Sequence, residues 1–328
     1  MSPQTNEFDL IGGRKMKLRL KGSVPFFTPK KLGLVYIVSL VICVALRIYH
    51  VLALIEPQTG FYSVKNFTVP LFYAVLVFAC VFISVGAYLS KDIIDVSAET
   101  VNGKGTVGVV SLFLAAGFFL DFGYCFLMIN APETAVPYGY ETYSKESVFS
   151  SMMRTGALPR KAEMVMAILA FLYFLILAVL ILTKKYKGQM KIFSLVTVFW
   201  GISRLVTFFV KQISFIKVSD LFLEIAATAF ITLFFFSLCE VLSGVYKKDA
   251  QWRVFGLGLP ASLCCLTVQI PRIVAAFIDG LHAEEAEYIP ILYSDDYILN
   301  YAVIFTGVLV IVLFAALRKN TVAQKTEE

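Results

Sequence analysis

The sequence predicts an all-α polytopic integral membrane protein of eight transmembrane helices, and three observations carry that expectation. The first is composition: 59% of the 328 residues are hydrophobic and only 16% are charged, with a mean hydropathy of +0.78. A soluble domain carries about 25% charged residues, so this excess of apolar side chains needs lipid around it. The second is length. Eight apolar runs, near 32–55, 68–90, 106–129, 163–183, 192–212, 219–243, 254–278 and 297–317, reach the roughly 20 residues that a helix needs to cross the hydrocarbon layer. The third is the placement of basic residues. With the N-terminus in the cytoplasm, 19 of the 29 Lys and Arg fall in inner segments, 7 in outer segments and three inside spans. That bias predicts cytoplasmic N- and C-termini in the cell (cytoplasmic) membrane.

Taken in order, residues 1–31 form a basic cytoplasmic tail. The run that follows is longer than the roughly 7–15 residues of a signal-peptide core, so it is read as a retained first span. Pro29 precedes that span and Pro70 sits in the opening turn of the second, where a missing N–H costs little. Residues 32–183 make a first four-helix half, which includes a long outer loop at 130–162. The second part of that loop has the pattern of an interfacial helix, with Val148, Phe149, Met152 and Met153 toward lipid, either an ordered cap or a lid. Residues 184–317 make a second four-helix half with an acidic outer loop at 279–296, whose spacing is not that of a calcium loop. Residues 318–328 form a cytoplasmic tail. A shift of 157 residues carries Arg47 onto Arg204 and Lys91-Asp92 onto Lys248-Asp249. This correspondence makes a parallel duplication of the two halves a further expectation.

The charges inside the spans are the functional signal, because an arginine in hydrocarbon costs at least about 3 kcal/mol and needs a partner or water. Arg47, Asp121, Arg204, Glu224 and Arg272 lie several residues from the outer ends of their spans, roughly 7–15 Å deep at the helical rise per residue. His50 shares a helical face with Arg47, and Lys211 lies nearer the outer surface than Arg204. Simple pairing predicts Arg47 or Arg272 with Asp121, and Arg204 with Glu224 in competition with Lys211. One cation is then left for a ligand. Pro271 cannot donate to the Thr267 carbonyl, and with Pro260 it marks candidate hinges in the seventh span, where Gln269 lines the opening. Trp200-Gly201 and the alanines at 226, 227 and 229 read as packing residues.

Several functions are excluded. The basic residues cluster beside spans rather than in a patch, which argues against nucleic acid. No nucleotide-binding, HExxH or GxSxG motif occurs, and two histidines offer little to a metal or haem site. The six cysteines all lie in apolar runs and read as small buried hydrophobes. No cofactor, metal, catalytic residue or oligomeric state follows from the sequence, and the expected partners are membrane lipids. The leading expectation is passive or ion-coupled movement of a small anionic or zwitterionic solute. It would bind in an outward-facing cavity lined by Arg47, Arg204, Arg272, Asp121, Glu224, His50 and Gln269. The alternatives are a non-transporting sensor or assembly subunit, and a membrane-embedded enzyme acting on a lipid phosphate.

Overall fold

The computed structural model describes residues 6–8, 16–18, 29–56, 61–63, 65–90, 98–130, 157–188, 190–210, 218–244, 251–281 and 299–326. Two three-residue strands, β1 (Asn6–Phe8) and β2 (Met16–Leu18), pair antiparallel in the N-terminal tail. The helices are α1 (Pro29–Tyr49), extended by a π-helical segment (His50–Leu54), α2 (Thr68–Leu89), a short α3 (Ala98–Val101), α4 (Gly105–Asn130) and α5 (Ala157–Leu182). A 3₁₀ turn (Phe193–Leu195) leads into α6 (Val196–Val210), followed by α7 (Val218–Leu242), α8 (Trp252–Leu281) and α9 (Tyr301–Thr326).

Seven helices among the described residues are long and apolar enough to cross a membrane, and they coincide with the first seven expected spans. At the eighth position a shorter apolar stretch, Tyr301–Ala316, opens α9. Residues 131–156 of the expected outer loop, Lys211 and most of the acidic loop lie outside the described residues, whereas 157–162, expected as the end of that loop, form the first turns of α5. Outward faces carry large apolar side chains such as Leu34, Val41, Val77, Phe78 and Phe119, the surface that a bundle presents to acyl chains.

α8 is the centre. Two thirds (67%) of its most apolar window is buried, against 22% for the first span, and it packs against α1, α2, α7 and α9. Small hydroxyls fasten it. Tyr36 on α1 shares a 2.7 Å hydrogen bond with Ser262, whose Oγ also lies 2.8 Å from the Gly307 carbonyl on α9. Ser84 on α2 donates to the Gly256 carbonyl at 2.7 Å. The helix runs unbroken through Pro260 and Pro271. Gly256 and Gly258 are contact points along this helix. A Cβ on Gly258 would meet the Phe234 ring at 2.8 Å, and one on Gly256 would meet Trp252 at 2.9 Å. On the other side of the bundle α4 packs on α5 and α9, with Phe118 stacked on Phe174 and edge-on to Trp200 at 4.9 Å.

Gly117 sets the α4–α9 distance, because a Cβ there would lie 3.0 Å from the Ala302 backbone. Gly123, one and a half turns on, has nothing within 4 Å. Gly117→Leu is therefore expected to destabilise the protein by about 1–3 kcal/mol, the usual cost of overpacking. Gly123→Leu is expected to be neutral or stabilising, since a glycine in a helix costs about 1 kcal/mol. Thermal unfolding of both variants in detergent checks the contrast.

Candidate functional site: a buried arginine–carboxylate layer

The charged residues come from the C-terminal parts of α1, α4, α6 and α8 and the N-terminal parts of α5 and α7. An up-and-down bundle gathers those parts into one layer, and here they form two adjoining clusters.

The first cluster joins α1, α7 and α8. Arg47 is buried and forms an ion pair with Asp220 at the start of α7. Its Nη1 also donates to the Tyr62 hydroxyl at 2.9 Å. That hydroxyl is in reach because the chain folds back after α1, where Ile55 bridges Tyr62 and Ser63 N–H donates to the Leu54 carbonyl. Arg272 on α8 forms an ion pair with Glu224, and its second nitrogen lies 3.9 Å from Asp220. Asp220 and Glu224 are one helical turn apart, so both reach the same guanidinium. His50 lies beside this cluster at the π-helical turn, where Ile55 N–H donates five residues back to the His50 carbonyl. Its Nε2 is 3.2 Å from the Thr68 hydroxyl, its ring packs edge-on against Tyr62 and Phe72, and Nδ1 has no partner among the described residues. Single-turn π segments of this kind occur often at functional sites.

The second cluster joins α4, α5, α6 and α9. Arg204 bonds Asp121 at 3.2 Å and Glu163 at 2.9 Å through the same Nη1, while its Nε has no acceptor among the described residues. Asp121 also accepts the Trp200 indole N–H at 2.8 Å and the Asn300 amide at 2.7 Å. Asn300 caps α9, its Oδ1 accepting the Val303 N–H at 2.9 Å, and its own backbone N–H donates to Gln269 on α8 at 3.3 Å. The carboxylates of Asp121 and Glu163 and the Cys125 thiol lie within 4.8 Å of one another, a spacing that could hold a metal ion. The Arg204 guanidinium bonds both carboxylates and so takes a cation's place there.

A crevice separates the clusters. It is lined by Arg204, Phe208, Glu224, Thr228, Val268 and Gln269, among others, with the Arg204 guanidinium 5.2 Å from the Phe208 ring centre. It has room for about one water molecule. Glu224 and Arg204, on opposite clusters, both border it, so the layer is continuous.

Every predicted layer residue within the described chain falls in this region, but the pairing differs from the sequence expectation. Arg204 pairs with Asp121 rather than Glu224, and Arg272 takes Glu224. Arg47 pairs with Asp220, a residue that the sequence reading did not include in the layer. None of these three arginines is left without a carboxylate. Among the described residues three guanidinium groups, Arg47, Arg204 and Arg272, face four carboxylates, Asp121, Glu163, Asp220 and Glu224. The surplus cation that the sequence reading expects is therefore not found among these three arginines. Arg47 and Arg272 do not border the crevice; Arg204, Glu224 and Gln269 do. Trp200 packs as expected but also donates to Asp121. The Pro271-adjacent Thr267 hydroxyl is buried without a hydrogen-bond partner among the described residues.

The chain matches no family model, and no curated protein or solved structure shows significant similarity to it.

Position in the bundle decides what an ion pair is worth. Removing one partner of a buried pair strands a charge and costs about 3–5 kcal/mol, whereas an exposed pair contributes about 0–1 kcal/mol. Asp220→Ala, which strips the carboxylate shared by Arg47 and Arg272, is expected to destabilise by the larger amount. Glu240→Ala removes the partner of Arg253 at 3.7 Å, an arginine whose side chain is 48% exposed. It is expected to cost under about 1 kcal/mol. Chemical unfolding of the two variants in mixed micelles measures the difference.

Proposed function

We propose that the protein is an ion-coupled carrier for a small solute bearing an acidic group, and that Arg204 receives that group. The observation that supports this reading is that Arg204 serves two carboxylates at once while bordering the crevice toward Glu224. An anionic group entering the crevice competes with Asp121 and Glu163 for one guanidinium, and a bidentate contact in low dielectric makes it a strong competitor. Where the solute wins, Asp121 and Glu163 face each other without their counter-ion. Two like charges that close cannot both stay ionised in an apolar setting, so solute binding draws in a proton or a small cation. Coupling follows from the shared arginine alone.

In this reading Arg47, Arg272, Asp220 and Glu224 hold α1, α7 and α8 in register around the crevice, with His50 beside them. Gln269 reports to α9 through Asn300. Pro260 and Pro271 are the points where α8 bends to admit a solute larger than a water molecule. A zwitterion suits the crevice as well as an anion, because Glu224 stands across from Arg204. Both termini lie in the cytoplasm and the two four-helix halves are repeats.

The pairing of all three arginines, together with the small size of the crevice, favours a second reading. Here the layer is a permanent clamp in a non-transporting sensor or assembly subunit. Uptake by proteoliposomes distinguishes the two, using a panel of small monocarboxylates and α-amino acids under an imposed inside-alkaline gradient. The carrier reading expects gradient-driven accumulation of at least one probe. It expects at least a tenfold loss in Arg204→Met, and uptake that no longer responds to the gradient in Glu163→Gln. No accumulation of any probe, or unchanged uptake in Arg204→Met, contradicts it and leaves the clamp.

A further inference from the structure

All six cysteines are buried and none is disulfide-bonded, yet they are not evenly dispersed. Cys80 on α2 and Cys264 on α8 stand face to face, their sulfurs 4.0 Å apart. The helices that carry them run in close contact along the same seam. Ser84 reaches the Gly256 carbonyl at 2.7 Å, the Tyr88 and Trp252 rings meet edge-on at 5.1 Å, and a Cβ on Gly256 would lie 3.5 Å from that of Ala87. A disulfide needs its sulfurs about 2 Å nearer than they are, a distance that rotation of the two side chains can supply when the backbones are already close. The pair is shut off from water, with Cys80 8% and Cys264 3% exposed. It lies beneath the outward face of α2, where Val77, one helical turn from Cys80, and Val81, next to it, are exposed to the acyl layer.

We propose that Cys80 and Cys264 form a redox-active dithiol that a lipid-soluble quinone oxidises to a disulfide, tying α2 to α8. Two S–H bonds break and one S–S bond forms. The two electrons and two protons pass to the quinone, which leaves as the hydroquinone. The oxidant comes from the acyl layer because the apolar outward face of α2, at Val77 and Val81, is the surface nearest the pair. The oxidised state fixes the seam between α2 and the central helix, the helix that carries Gln269 and Arg272. It does so whether the layer is a carrier site or a clamp.

The test uses the full chain in lipid nanodiscs, incubated with decylubiquinone, a fully substituted benzoquinone that cannot arylate thiols. Free thiols are then counted by maleimide mass labelling after denaturation. The count is expected to fall from six to four and to return to six with dithiothreitol. Peptide mapping is expected to link Cys80 to Cys264, and Cys80→Ala and Cys264→Ala are each expected to lose no thiol to the quinone. Six thiols remaining in the wild type, a link to any other cysteine, or the same loss of two thiols in either variant overturns the proposal.

Discussion

A guanidinium held inside an apolar bundle dictates where its neighbours stand. Arg204 on α6 cannot reach water without climbing out of the core, and leaving it unpaired would cost several kcal/mol. Its position is tenable because α4 brings Asp121 and α5 brings Glu163 to the same nitrogen. Asp121 is in turn held by Trp200 from α6 and Asn300 at the head of α9. Four helices are thereby fixed at one level by one residue's charge. The close approach of α4 and α9 at Gly117, one turn from Asp121, is the packing counterpart of that electrostatic constraint.

The other half of the layer repeats the logic with a different division of labour. Asp220 is shared by two arginines, and Arg272 is shared by two carboxylates. Charges arranged as a chain rather than as isolated pairs lower the entropy cost of ordering each additional side chain, because every partner is already held. Buried ion pairs are nevertheless weak contributors to stability compared with apolar packing of equal volume. The surrounding core does not need them: α8 is fastened to α1, α2 and α9 by hydroxyl bonds and interlocked small residues. The layer gives the bundle a polar interior at one level, beside the crevice that Arg204 and Glu224 border.

The membrane class and seven long spans were legible because hydropathy acts over about 20 residues and tolerates errors at the ends. The same tolerance hid two key residues. Glu163 and Asp220 fall at the margins of the apolar windows and are not counted in the layer. In the fold, α5 begins at Ala157 and so carries Glu163 more than a turn inside the helix, and α7 places Asp220 against Arg47. With those two carboxylates missing from the tally, the layer looked cationic. Arg47, Arg204, Arg272, Asp121 and Glu224 were legible because ionisable residues in apolar runs stand out singly, but which helix meets which is tertiary information that no spacing rule carries. Asn300 had a readable signal, an asparagine just before an apolar helix, which marks an N-cap. Its second bond, to Asp121, depends on α4 and α9 being neighbours and could not be read.

The most direct test is a double-mutant cycle on Arg204 and Glu163, read by equilibrium unfolding in a fixed detergent. If one guanidinium holds the two carboxylates together, Arg204→Met alone is severely destabilising and Arg204→Met with Glu163→Gln is more stable than Arg204→Met, giving a coupling energy above about 1 kcal/mol. Costs that simply add, within about 0.5 kcal/mol, would contradict the account.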